Sequence, residues 1–415
     1  MGKASIIYIV GLSILVGSSL LNMNGAGTDA MNNYMMYYGQ TAARNIAASG
    51  ANMGCADLFL NPSYNVPYVN VNFAGGKLNV RFVESGNKKF VISTGKIVIG
   101  PRVIRDTVIA ELHNETLAKY AWFTNFEANK GGQPTSWSTG DTSWGPAHTN
   151  DKFNINGSPV FMRKATAWQK AVPNKNSGVF KGGYEWGIKI PYPNNLTAFI
   201  TAATDPADGR TVLNNDAYLT FLAGGTVRLR VPATGRDTTF SSATNLTRNG
   251  AFAVIGANLY VEGTVTGDLA VGAVTGGAGG GNVYITGDVR YGDDPLINPA
   301  STDKLGIYSE NDIQVKYDNS NPSAYANRRV DASIFSLTGV FEVQDAKNYP
   351  TRGTLKTLGA LMQYRRGEIG DVNPGSGTLL HGYYKNFRYD DRLLANPPKH
   401  FPSAGRYTLF SWREG

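Results

Sequence analysis

The chain has 415 residues, of which only 17% are charged, with 49 glycines, 22 tyrosines and one cysteine. A lone cysteine excludes an intrachain disulfide framework and any cysteine-based metal cluster. The net charge of +8 is spread over 39 basic and 31 acidic residues; Lys88-Lys89, Arg328-Arg329 and Arg365-Arg366 stand far apart without interleaved aromatics, which argues against a nucleic-acid surface.

Low charge with many turn and aromatic residues predicts a mainly β protein of the surface type. Without disulfides, its rigidity is expected to come from a long hydrogen-bonded β stack.

The first element is ASIIYIVGLSILVGSSLL, Ala4 to Leu21. As a helix at ~1.5 Å per residue it reaches ~27 Å, close to the ~30 Å of a hydrocarbon core. Ile6, Ile7, Ile9, Val10, Leu12, Ile14, Leu15, Val16, Leu20 and Leu21 are its candidate membrane or assembly residues. Lys3 and the α-amino group precede it, so the positive-inside rule holds the N-terminus in the cytoplasm and exports the rest. The alternative is a cleaved signal peptide, although Gly25-Ala26 and Asp29-Ala30 lack an A-x-A pattern.

Met31, Tyr34, Met35, Tyr38, Ala42 and Ile46 then recur at three- and four-residue steps, which predicts one helical face capped by Thr28 or Asp29 and ended by Gly50 and Gly54. Residues 1–55 thus read as an anchor running into a stalk. The layout resembles the N-terminal region of type IV pilin-like and minor-pilin-like proteins. That resemblance implies a helix that first sits in a membrane and later packs in a filament core, so self-association is an expected partner relation. The chain departs from the prepilin pattern in one respect. Gly2 stands where a very short leader would end, but residues 4–21 contain no carboxylate in place of the usual glutamate.

Residues 56–250 form a predicted β-rich middle region. YVNVNF (Tyr68–Phe73), KLNVRFV (Lys77–Val83) and KFVISTGKIVIG (Lys89–Gly100) read as strands, and RDTVIAELHNETLAKYAWF (Arg105–Phe123) as a helix. From about residue 162 the pattern loosens around PYPNN, DPADG and PATGRD.

Residues 251–415 are more regular. Asn258-Leu-Tyr-Val, Asn282-Val-Tyr-Ile and Gly306-Ile-Tyr-Ser start at 24-residue steps, and Ser333-Ile-Phe-Ser and Ala360-Leu-Met-Gln follow at 27. Short aliphatic strands ending in glycine at this period predict a parallel β-helix, or solenoid, with rungs of about 24 residues. Tyr260, Tyr284 and Tyr308 would stack as a ladder, GGAGGG (Gly276–Gly281) would be an exposed loop, and the proline-rich Asn396–Pro402 tail and the closing YTLFSW would supply a cap for the stack or a docking strand.

Two segments carry a closer resemblance. GDTSWGPAHTNDKFNINGSPVF (Gly140–Phe161) and YYKNFRYDDRLLANPPKHFPSAGRYTLFSWREG (Tyr383–Gly415) are similar to signatures of a family of bacterial envelope proteins of unknown function. The resemblance implies a pilin-like N-terminal helix, a β-helical ectodomain and a cell-envelope location, and it carries over no established activity.

The densest polar constellation is His148, Asn150, Asp151 and Asp141, which reads either as a metal or sugar site or as corner residues bonding to backbone. Asp288 and Asp312, one 24-residue step apart, would lie ~5 Å apart on adjacent rungs. They read as corner residues, as a calcium site or as the carboxylate pair of a glycosidase. Trp137, Trp144, Trp168 and Trp186 offer sugar-stacking faces or core packing, and Cys55 a buried apolar side chain or an interchain link. No triad, phosphate-loop or dinucleotide signature is visible. The expectation is therefore a non-enzymatic surface or filament protein without a required cofactor, contacting a membrane, itself and in some readings polysaccharide. The rival is an anchored polysaccharide-binding or polysaccharide-cleaving β-helix.

Overall fold

The computed structural model describes residues 2–85, 88–170, 172–174, 178–277, 279–317, 325–348, 350–373 and 376–415, with residues 3 and 172–174 described by backbone alone. The expected charges at Met1 and on the Lys3 side chain, and Ala278 within GGAGGG, lie outside the described residues. The chain is mainly β behind one long N-terminal helix.

Two compact units form, and their boundaries differ from the expected 1–55, 56–250 and 251–415. Unit 1 is residues 1–115 with 405–415, and unit 2 is residues 116–404. In unit 1, helix α1 (Lys3–Leu60) covers one face of an antiparallel sheet. The sheet runs β1 (Tyr68–Phe73), β2 (Gly76–Ser85), β3 (Lys88–Ile99), β4 (Arg102–Thr116), then the C-terminal strand Ser403–Glu414. Unit 2 is therefore an insertion between two neighbouring strands.

The helix expected over Arg105–Phe123 is instead β4, a 3-10 turn and the strand Trp122–Phe126. Val108 and Leu112 fit a helical step, but Ile104, Val108, Ala110 and Leu112 also share one face of a strand, and that face is buried. Pairing with β3 from Ile99↔Arg102 to Lys88↔His113 decides between them. The stalk face is also rotated from its expected place. Met31, Tyr34 and Tyr38 are exposed, whereas Gly39, Ala43, Ile46, Ala47, Gly50, Ala51, Gly54 and Leu58 are buried. Gly50 and Gly54 do not stop the helix. They lie beneath Leu78 and Val91, where a side chain would collide with the sheet.

Among the described residues, unit 2 is built from parallel strands in three sheets of fourteen, ten and three strands, with the fourteen-stranded one carrying some antiparallel pairs. A first run starts at Trp122–Phe126 and adds rows outward through Ala147–Thr149, Ala165–Ala167 and Tyr184–Trp186. The chain then travels back along the outer face of the ten-stranded sheet. There Ile190, Tyr192 and Phe199 of α2 (Thr197–Thr204) pack with Phe123, Tyr308 and Phe335. A second run begins at Arg210–Leu213 and winds back until Leu361–Arg365 pairs in parallel with Trp122–Phe126. The row order in space is thus not the row order in sequence. One core of aliphatic and aromatic residues lies between the sheets.

The repeat divides between two sheets. Leu259 pairs with Val283 in the fourteen-stranded sheet, whereas Gly306 pairs with Ser333 and Ile334 with Leu361 in the ten-stranded one. The tyrosine ladder is accordingly Tyr218, Tyr260 and Tyr284, with ring centroids 4.4 and 5.0 Å apart. Tyr308 is buried in the other sheet against Phe199. A polar ladder runs beside the first three: Asp216, Asn258, Asn282 and Asp312 each accept a backbone N–H from the next row, across separations of 42, 24, 30 and 28 residues. The 24-residue step is one value among several.

The expected caps are placed elsewhere. Phe401 in the proline-rich tail packs on Tyr308 and Phe335, and YTLFSW belongs to the unit 1 sheet. The first strand of the fourteen-stranded sheet's second run is covered by the antiparallel hairpin Val227–Val231 and Arg236–Phe240.

Candidate functional site

The N-terminal segment of α1 is the most distinct surface. An 18-residue window of it has mean hydropathy 2.1, and none of that window is buried. Ile6, Ile7, Ile9, Val10, Leu12, Ile14, Leu15, Val16, Leu20 and Leu21 are each at least half exposed, and Met23, Met31, Tyr34 and Tyr37 extend the apolar surface. The helix is long and apolar enough to cross a membrane. Its second part differs in composition: glycine and alanine on the buried side let the helix backbone approach β3 closely.

His148 and Asn150 come together. Asn150 accepts the Ile190 N–H (2.9 Å) and donates to the Ile190 carbonyl (2.7 Å), so one amide holds the returning segment on the sheet. Because its oxygen is an acceptor, His148 Nε2 (3.1 Å away) is the donor, and Nδ1 accepts from the Thr166 hydroxyl (2.7 Å). Burial pushes the His148 pKa down to about 4, fixing the neutral ring. Asp151 and Asp141 are not part of this pair. Asp151 accepts the Glu127 N–H (3.1 Å), and Asp141 bonds Lys385 (3.1 Å). Among the described residues, no group of three His, Cys, Asp or Glu side chains is placed to hold a metal ion.

Asp288 and Asp312 do not occupy equivalent positions. Val283 pairs with Ile313, so Asp312 stands beside Asn282, while Asp288 lies further along its strand. Asp288 bonds Arg290 (2.5 Å) and Asp312 bonds Lys130 (2.6 Å). The two carboxylates therefore form neither a shared calcium site nor a catalytic pair. The tryptophans also separate: Trp137 is core, whereas Trp144, Trp168 and Trp186 are partly exposed. Within GGAGGG, Gly276, Gly277 and Gly279 are exposed. Cys55 is half-buried, and burial pushes its thiol pKa up to about 11, so the unreactive protonated form prevails.

Sequence reasoning missed a buried ion pair. Glu127 and Arg366 meet at 2.6 Å where the two runs join, both almost fully buried. Thr124 and Trp122 donate to Glu127, while Arg366 donates to the Ser136 carbonyl and packs against the rings of both Trp122 and Trp137. The partners are 239 residues apart, so no local pattern announces them. A polar cleft of about 290 Å³ adjoins it, lined by Asn129, Ser136, Lys347, Glu368, Asp371 and Lys385 among others.

Residues 78–169 match the family model described as Domain of unknown function (DUF4900). The match starts in β2 and ends just after the Ala165–Ala167 strand, so it crosses from unit 1 into unit 2. Neither a curated protein nor a solved structure matches the chain.

Proposed function

We propose that this is a non-enzymatic structural protein of the cell envelope or of a surface filament. The exposed half of α1 anchors it in a membrane or packs with other copies, and the parallel sheets wind as a β-helical body that is projected for adhesion or assembly. One observation carries the reading: α1 changes character along its length. Residues 4–21 are uncharged and predominantly apolar and, among the described residues, none of them is buried, whereas the second half uses small residues to seat on a four-stranded meander completed by a C-terminal strand. A soluble helix exposing so much apolar surface would aggregate; a membrane or a helical filament core removes that surface from water. The arrangement supports the resemblance to pilin-like proteins, while the absence of a carboxylate in residues 4–21 argues for an atypical assembly element.

The test combines fractionation with microscopy. The protein is expected to stay in the membrane pellet after carbonate extraction, and protease added outside the inner membrane is expected to cut unit 2. Mass spectrometry of the mature N-terminus separates an intact chain from a start at Lys3 or near residue 27. Full recovery in the soluble fraction with a start near residue 27 overturns the anchor. Only monomers in sheared surface material, viewed by electron microscopy, overturn the filament.

A further inference from the structure

Three neighbouring strands of the fourteen-stranded sheet concentrate charge on its outward side. Arg329–Asp331, Thr351–Leu358 and Leu379–Arg388 pair in parallel, so Arg329, Lys356 and Asn386 form one row and Asp331, Leu358 and Arg388 another two positions on, with Val330, Thr357 and Phe387 between them. With Asp294, Leu296 and Thr357 they line a cavity of about 190 Å³.

The charges there are unevenly paired. Arg329 bonds both Asp331 (2.9 Å) and Asp294 (2.5 Å). Asp331, fully buried, also accepts the Tyr291 N–H (3.1 Å), and Asp294 accepts the Leu296 N–H (2.9 Å). This network is satisfied and fixes the cavity floor. Lys356 and Arg388 are exposed at the rim, and among the described residues neither has a carboxylate partner. Arg388 lies 5.1 Å over the Trp144 ring, which steadies its guanidinium. Leu296, 54% exposed, supplies an apolar wall.

We propose that this cavity binds an acidic sugar: one uronate unit of an anionic glycan. Lys356 and Arg388 take the carboxylate, Asn386 faces the hydroxyls, and Leu296 covers the C–H face of the ring. An inorganic anion would satisfy the cations and leave the apolar wall unused. A neutral sugar would use the wall and leave both cations without a counter-charge. This goes beyond the anchoring reading and does not depend on it.

The experiment is calorimetry on the full chain in detergent micelles, with trigalacturonate as the probe and maltotriose and inorganic phosphate as comparisons. Trigalacturonate is expected to bind, more weakly as salt rises. Lys356→Ala and Arg388→Ala are each expected to weaken it at least tenfold, with Lys181→Ala unchanged. Both rim side chains are exposed, and circular dichroism confirms that the variants fold. The proposal is overturned if trigalacturonate gives no heat at millimolar concentration, if the rim variants bind as the parent does, or if maltotriose or phosphate binds equally well. Such a failure leaves membrane fractionation untouched, so the two readings fail separately.

Discussion

At the scale of single residues, the buried polar groups hold segments in place. His148 gives this a pH signature. Its folded pKa is about 4 against an ordinary 6.5, so the unfolded chain takes up a proton that the folded one refuses. Its contribution is fully present above pH 6.5 and is lost as pH falls toward 4, up to roughly 3 kcal/mol in all. Urea midpoints at pH 7, 5 and 4 should therefore fall more steeply for the parent than for His148→Gln; parallel slopes would refute this. Arg366→Met leaves Glu127 buried without a counter-charge and should cost about 3–5 kcal/mol, whereas pairing it with Glu127→Gln should recover much of that loss. Denaturant unfolding of both variants measures the difference. The sequence singled out His148 and Asn150 by their density, but their clamp on Ile190 depends on a chain reversal 40 residues later.

At the scale of elements, the contact between α1 and β3 depends on missing side chains. A Cβ at Gly95 would run into the backbone of Ala43 and Ala47, whereas one at Gly11 would meet nothing. Gly95→Val should release the second half of α1 and raise hydrogen exchange across residues 39–58, while Gly11→Ala should leave it unchanged. Equal protection in both variants would refute the role. The strands β1 to β3 were legible because each alternates and is bounded by turn residues. The seat of the helix was not, because glycine reads as a stop signal in one dimension and as room for a neighbouring backbone in three. β4 was hidden by the coincidence that its buried residues also satisfy a helical step.

At the scale of the whole molecule, the parallel stacking expected after Ala251 was legible in its short aliphatic strands, though the number of residues per row was not. Row length varies because loops of different size leave between rows whose paired positions stay aligned, so the even spacing of three tyrosine motifs was accidental. Nor could the sequence reveal that the middle region supplies the rows continuing the same sheets. The fragment 251–415 lacks the Trp122–Phe126 neighbour of its last row and should show weak exchange protection without a cooperative transition. Residues 116–404 should unfold cooperatively. A cooperative transition in the shorter fragment would refute the shared core.

The insertion of unit 2 between β4 and the last strand also sets a schedule for synthesis. Helix α1 and β1 to β4 are made first, but the strand that covers β4 belongs to the final residues. At roughly 5–20 residues per second, the insert occupies the ribosome for tens of seconds, with the β4 edge open throughout. A growing chain would meet other copies in that interval with an unpaired strand beside its helix, so protection of this edge during synthesis becomes a requirement on the cell.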